Sequence, residues 1–341
     1  MSSSPPPNMN HTDSWLDSWL ACLIALLGWC WVYPEVLIGL HWHDTSEFIS
    51  AGRTLAVAHP PGHPLTLLSI HISQLFPWFD AAERGHLASS LWGALGIGAS
   101  YLGFLKLTPS LIPQKIARMS ALVGALTAIG LPMVWLQVTR AEVYAPQWAL
   151  TMVVWSALFH AHRTHDQRAY LIAALSLGLL SANHTLLTAA LGIALLPKLF
   201  MLQLPRRVWG WSLACFAGGA SLYVYLWLRG QAGGISGWGW IDSWGSLWET
   251  ISAKVWQIQV NQRASEVSFL DNIIRLVAYG MSQVGALISL ALLVSLSLGL
   301  VTWARTAPLS SWISSAPARP IKVGDHIERS WGPTLALATL L

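Results

Sequence analysis

Apolar runs of membrane length recur along this chain, and no other feature of the sequence narrows its folds as far. They lie near residues 18–40, 84–106, 116–137, 143–161, 168–182, 184–203, 207–228 and 272–303. A hydrocarbon core about 30 Å thick takes roughly 20 consecutive apolar residues in a helix, whose backbone groups bond within their own segment. With 54% hydrophobic and 10% charged residues and a mean hydropathy of +0.51, the expected fold class is all-α, a polytopic integral membrane helical bundle of about eight spans. Residues 1–17 are polar and Pro/Ser-rich, with Asp13 and Asp17 but no Lys or Arg. They lack the basic region of a cleavable signal and read as a disordered head before a membrane domain at 18–304. Residues 305–341 read as a cytoplasmic segment.

The three cysteines, Cys22, Cys30 and Cys215, fall within apolar runs and form no CxxC pair. Neither a disulfide framework nor a zinc site is indicated. The sequence pI near 9.1 does not point to nucleic acid, because a membrane protein uses its basic residues for orientation and no soluble basic cluster with interleaved aromatics occurs.

The stretch 64–79 is apolar but about 16 residues long, opened by Pro64 and closed by Pro77, and it holds His71 and Gln74. That length suits an interfacial helix better than a crossing. Reading it so makes the later loops alternate consistently. One side then receives Lys106, Lys115, Arg118, Arg163, Arg168, Lys198, Arg206, Arg207, Arg305, Arg319, Lys322 and Arg329, twelve of the 19 basic residues, and is cytoplasmic by the positive-inside rule. The extracytoplasmic side receives the first loop, Arg140 and Glu142, Asn183 and His184, and the long loop 229–271.

The chemistry-bearing residues collect on that side. Asp44 and Glu47 are three apart and share a face if a helical turn begins there; they suit general-base chemistry, or a helix cap in a solvated loop. His59-Pro60-Pro61-Gly62-His63-Pro64 sets three prolines and a glycine around two imidazoles, which rigidifies a turn. Arg53 and Arg140 are candidate phosphate contacts, since a guanidinium grips phosphate in a fork that Lys cannot reproduce. Glu142 and His184 are second contacts, His184 being equally suited to a helix end in water. His41-Trp42-His43-Asp44 holds metal-capable side chains, but no further acidic set of recognisable spacing accompanies it, so no metal site is expected. The segment 229–264 is rich in Gly and Trp, and Trp238 within it suits a sugar or a lipid headgroup as well as a membrane anchor.

Taken in order, the acidic motif after the first span, the His-Pro-Pro-Gly turn, the Ala-Glu-Val-Tyr loop, the Asn-His junction and the Trp-Gly loop resemble the transmembrane O-mannosyltransferase family, over about residues 18–260. Asp44-Thr45-Ser46-Glu47 stands where the family usually has Asp-Ser-Gly-Glu, and Gly62-His63-Pro64 where Gly-Tyr-Pro is usual; the carboxylates and prolines are kept. The chain closes on Leu-Ala-Leu-Ala-Thr-Leu-Leu, which reads as the start of a further helix. The resemblance implies a GT-C glycosyltransferase with interfacial helices in its first extracytoplasmic loop; no cofactor beyond a lipid-linked donor as co-substrate is expected, with a divalent metal left open. A sugar, mannose by resemblance alone, would pass with inversion from a polyprenyl phosphate to an extracytoplasmic hydroxyl of a protein or glycan. Asp44 would be the base, with Glu47 beside it, and Arg140, Arg53 or His59 would meet the departing phosphate. A non-catalytic polyprenyl-phosphate carrier or assembly subunit that keeps the fold is the alternative.

Overall fold

The structure, a computed structural model, describes residues 11–41, 44–108, 112–202, 204–231, 238, 241–258 and 269–284, among which no strand occurs. The helices are α1 (His11–Val32), α2 (Thr45–Thr54), α3 (Pro64–Ser73), α4 (Ala81–Leu107), α5 (Gln114–Gly130), α6 (Pro132–Val138), α7 (Tyr144–Thr164), α8 (Gln167–Ser181), α9 (Thr185–Met201), α10 (Arg206–Ala220), α11 (Val224–Gln231), α12 (Trp244–Ile251) and α13 (Phe269–Val284). This is an all-α membrane protein.

Among the described residues three helical stretches are long and apolar enough to cross a membrane, Trp15–Glu35, Ala81–Leu107 and Arg206–Gln231, and a bent pair, Gln114–Gly130 with Pro132–Val138, makes a fourth if it is one span. Eight were expected from the apolar runs, and several of those runs fall on shorter or broken helices. Helices α8 and α9 hold 15 and 17 residues, short of the roughly 20 a crossing takes. The apolar run 116–137 is interrupted by a 72° bend. Pro132 lacks the N–H that would continue the ladder, and it drives Leu131 to extended dihedrals (φ −61°, ψ 130°), as expected of the residue before a proline. The run 272–303 falls on α13 only as far as Val284; its remainder, like the segment 305–341, lies outside the described residues.

Helix α1 starts at His11, so residues 11–17 of the expected head are helical, and residues 1–10 lie outside the described residues. Asp17 supplies the reason. Its carboxylate is buried and accepts hydrogen bonds from Arg118 Nε at 2.8 Å and Gln114 Nε2 at 3.3 Å, so α5 anchors the first turns of α1 through a partner 101 residues away.

The chain divides into two compact units, one made of Met1–Thr185 with Pro205–Gln259 and the other of Leu186–Leu204 with Val260–Leu341. In the first, α4 is the central helix and packs against α7, α1 and α5, while α7 packs on α8 and α8 on α10. The α8–α10 crossing is close because glycines meet there: a Cβ on Gly178 would lie 2.1 Å from the Phe216 carbonyl oxygen, and one on Gly219 2.6 Å from that of Leu175. Small residues at such crossings let backbones approach where lipid supplies no hydrophobic drive. In the second unit, α9 carries Pro197 inside its C-terminal part and α13 is strongly amphipathic.

Helix α3 spans only ten residues, about 15 Å at 1.5 Å per residue, half of what a crossing needs. After it Leu75, Phe76, Trp78 and Phe79 are exposed, until Asp80 caps α4 by accepting from the backbone of Ala82 and Glu83 in a reciprocal capping box. Helices α2, α3 and α4 share one core of Phe48, Ile49, Leu67, Ile70 and Ala88, closed by Ala141 and Val143 from the α6–α7 loop. This core holds the first loop in place.

Candidate active site

Asp44 sits at the N-cap position of α2, yet its side chain makes no capping bond, and its carboxylate is 56% exposed. The helix-cap reading of Asp44 therefore fails. Glu47, one turn on, does not cap either. Its Oε1 accepts the backbone N–H of His59 at 2.6 Å and its Oε2 lies 2.9 Å from His59 Nδ1, so the carboxylate straps the proline turn to α2. The other ring nitrogen, Nε2, faces Asp44 Oδ2 at 3.9 Å. His59 thus lies between two carboxylates whose spacing on one helical turn the sequence had anticipated.

The turn is held from several sides. Gly62 adopts φ +91°, open to glycine without strain, and a Cβ there would meet Leu226 at 2.7 Å. Trp256 donates from Nε1 to the Pro60 carbonyl at 2.8 Å. His63 follows in the left-handed region (φ 47°) and is buried, with its Nδ1 2.6 Å from the Asn183 carbonyl oxygen. That carbonyl can only accept, so Nδ1 carries the proton and Nε2 is bare; no hydrogen-bond partner meets Nε2. Asn183 is itself a hub, accepting from Thr66 Oγ1 at 2.6 Å and donating to the Val143 carbonyl at 2.8 Å and Gln147 Oε1 at 3.1 Å.

Beneath α2 lies the loop between α6 and α7. Glu142 is buried, accepts from Thr45 Oγ1 at 3.4 Å and stands 3.9 Å from Arg140 Nε. Arg140 is buried too; its Nη2 makes one long bond, 3.5 Å, to Gln137 Oε1, and its Nε has no hydrogen-bond partner. His86 of α4 locks this loop: the Ala141 N–H donates to its Nδ1 at 2.8 Å, so Nε2 donates to the Gly39 carbonyl at 2.8 Å. An under-bonded buried guanidinium is costly unless something compensates it.

The electrostatics follow from these contacts. Burial pushes the Glu47 carboxyl up, but the hydrogen bonds and charge of His59 outweigh it and leave Glu47 below its ordinary 4.5. Burial likewise pushes His59 down, and Glu47, then Asp44 and Glu142, more than restore it, so its ring is raised above the ordinary 6.5. His63 falls well below 6.5, chiefly from burial and then from the neighbouring His59 and His184. Glu142 rises above 4.5 because burial outweighs Arg140.

Of the residues singled out in the sequence, Asp44, Glu47 and His59 form one cluster, with the Trp238 ring 5.9 Å from that of His59. Arg140 and Glu142 form a second group joined to it through Thr45. His184 reaches it through ring contacts, 5.7 Å from His63 and 6.0 Å from Tyr144. Arg53 is not brought in: six residues after Glu47 it lies about 240° around the helix, exposed. His43 lies outside the described residues. Sequence reasoning missed His63, Asn183, Thr45, His86 and Trp256 as parts of the site; Asn183 and His63 were visible beside chosen residues, but their burial was not.

Asp44, Glu47 and His59 could hold a cation, since one ligand atom from each lies within 4.8 Å of the others. A separate apolar cavity of about 210 Å³ lies between Tyr33–Ile38 and α4, lined also by Phe79, Glu83 and Leu87; it has none of the site's groups.

Residues 44–209 match the family model described as the protein O-mannosyl-transferase TMEM260 N-terminal domain. A stretch of 68 residues is 40% identical to the mouse protein O-mannosyl-transferase TMEM260, covering 20% of this chain and 10% of that protein. No solved structure matches the chain. The matched stretch begins at Asp44 and takes in the proline turn, Arg140, Glu142 and His184, so that residues 44–209 are similar to that N-terminal domain.

Proposed function

We propose that this chain is a membrane glycosyltransferase that moves a sugar, mannose, from a polyprenyl phosphate to the hydroxyl of a Ser or Thr in an extracytoplasmic protein, with inversion. The observation that carries this reading is the freedom of the Asp44 carboxylate: exposed, not spent on capping α2, and held beside the His59 ring. A general base must be a positioned proton acceptor within reach of the substrate. Asp44 takes the proton of the acceptor hydroxyl, whose oxygen attacks the anomeric carbon as the bond from that carbon to the phosphate oxygen breaks. The electron pair leaves with the phosphate, and a single displacement inverts the centre.

The departing phosphate gains negative charge. His59, whose Nε2 faces the Asp44 side, and Arg140, whose Nε has no hydrogen-bond partner, are the donors suited to meet it, and donors already oriented in a water-poor site need little reorganisation. Glu47 changes role from the one expected. With both its oxygens on His59 it positions that ring and does not itself take a proton. Arg53, exposed on another face of α2, is left out of the transfer. The site faces the extracytoplasmic side in this reading, supported by the basic residues that collect opposite.

The test is transfer from labelled polyprenyl-phosphate mannose to Ser/Thr peptides by purified protein. General-base catalysis contributes roughly 100- to 10,000-fold, so Asp44→Asn should lose about that much turnover while still binding the donor. Transfer by Asp44→Asn near the wild-type rate would exclude Asp44 as the base. Movement of the lipid across proteoliposomes with no sugar transfer would replace the enzyme with a carrier.

A further inference from the structure

We propose that Lys106 and Arg163, flanked by His160, form a binding site for the phosphate of an anionic lipid headgroup at the end of the bundle opposite the candidate active site. The position follows from α4. His86 near its start locks the loop that carries Arg140 and Glu142, and Lys106 stands in its last turn, 20 residues further on. At 1.5 Å per residue that is about 30 Å, the thickness of a hydrocarbon core. Lys106 therefore lies at one edge of that core when the candidate active site lies at the other. Two contacts fix which way this end of α4 faces. Gly103 packs on α7, where a Cβ would lie 3.7 Å from the Ser156 Cα, and further on Arg163 Nη2 donates to the carbonyl of Thr108, the C-cap of α4. Lys106, three residues after Gly103, shares its face, and His160 and Arg163 share the face of Ser156 at the fourth and seventh positions after it. Ammonium, imidazole and guanidinium thus collect, half-buried, on the seam between two packed helices.

The balance of charge supplies the independent observation. Arg163 acts electrostatically on Lys106, and Lys106 on His160; the carboxylates that reach them are Asp17 and Asp166, and both are committed. Asp17 accepts from Arg118 and Gln114. Asp166 caps α8 by accepting the Arg168 N–H, and its other oxygen stands 3.8 Å from His160. Among the described residues no carboxylate comes within ion-pair distance of Lys106 or Arg163. Two half-buried cations are left without a counterion, a costly arrangement in a partly desolvated place. A lipid phosphate supplies what is missing. Its own acyl chains hold it at that depth, and its oxygens accept from an ammonium and a guanidinium together. Basic pockets between membrane helices are seats for anionic headgroups for this reason.

The inference stands apart from the proposed transfer, and its test needs no sugar donor. Delipidated full chain in neutral detergent is titrated with phosphatidylglycerol or with phosphatidylcholine, and the lipid retained per chain is counted by native mass spectrometry. Retention of one phosphatidylglycerol in preference to phosphatidylcholine is expected. Lys106→Gln and Arg163→Gln should each weaken it about fivefold, the worth of one basic residue at a charged lipid surface. Arg207→Gln, which removes an exposed cation at the start of α10, should leave it unchanged. Unfolding midpoints in detergent alone that match the wild type show that the variants are folded. If Arg163→Gln loosens the end of α4, Lys106→Gln, which breaks no hydrogen bond, still decides. Equal retention of the two lipids, or a loss in Arg207→Gln as large as in Lys106→Gln, overturns the site in favour of diffuse surface attraction. Displacement of phosphatidylglycerol by an equal concentration of inorganic phosphate overturns the lipid as the ligand and assigns the recess to a soluble phosphate.

Discussion

Replacing Asn183 by Ala should destabilise the protein far more than a surface polar deletion does. The Asn183 side chain is fully buried and makes three hydrogen bonds, with Thr66 Oγ1, the Val143 carbonyl and Gln147 Oε1. Two of these partners keep other contacts: the Val143 carbonyl still accepts from the Gln147 N–H at 3.3 Å, and Gln147 has further interactions. Losing those two bonds costs about 0.5–1.5 kcal/mol each, whereas stranding the buried Thr66 hydroxyl costs about 1–3 kcal/mol. The total is about 2–6 kcal/mol. Thermal unfolding of the detergent-solubilised protein reads the loss, and a double-mutant cycle with Thr66→Val isolates its largest part. Thr66→Val removes the stranded donor, so the double variant should be about 1–3 kcal/mol less damaged than the sum of the singles. Strict additivity, or an unfolding midpoint for Asn183→Ala within about a degree of wild type, would refute the hub.

His63 should make stability acid-sensitive. Its folded ring lies well below 6.5, so below pH 6.5 the unfolded chain takes up a proton that the native state refuses, and stability falls by up to about 1.4 kcal/mol per pH unit until the folded ring titrates. His63→Gln should flatten the midpoint between pH 6.5 and 5 relative to wild type; parallel curves would sink this. A Cβ at Gly178 would sit 2.1 Å from the Phe216 carbonyl, so Gly178→Ala should cost about 1–3 kcal/mol by forcing α8 and α10 apart. Gly192→Ala, with nothing within 4 Å of the new methyl, should be neutral or stabilising, and equal effects at both positions would remove the close-crossing argument. Asp17→Ala should cost toward the low end of the about 3–5 kcal/mol of a broken buried pair, because the Arg118 side chain is 21% exposed. Protease cleavage near the start of α1 should rise with it; an unchanged cleavage pattern would show that α1 does not depend on the pair.

Hydropathy and spacing alone determined that this is a helical membrane protein and singled out residues 44–63, where Asp44, Glu47 and His59 cluster. Both are local properties: a span is a sum over about 20 neighbours, and Asp44, Glu47 and His59 meet because one helical turn and one rigid proline turn separate them. The sequence also shows Pro132, but hydropathy averages over it, so the run 116–137 reads as one span until the backbone is seen to bend. Tertiary structure alone decided the rest. It placed Glu142 under Thr45 across 97 residues and anchored the start of α1 through Arg118. It joined His63 of the proline turn to Asn183 across 120 residues. Periodicity records which face a residue occupies within its own helix, but which other helix lies against that face depends on packing and buried hydrogen bonds between segments far apart in the chain.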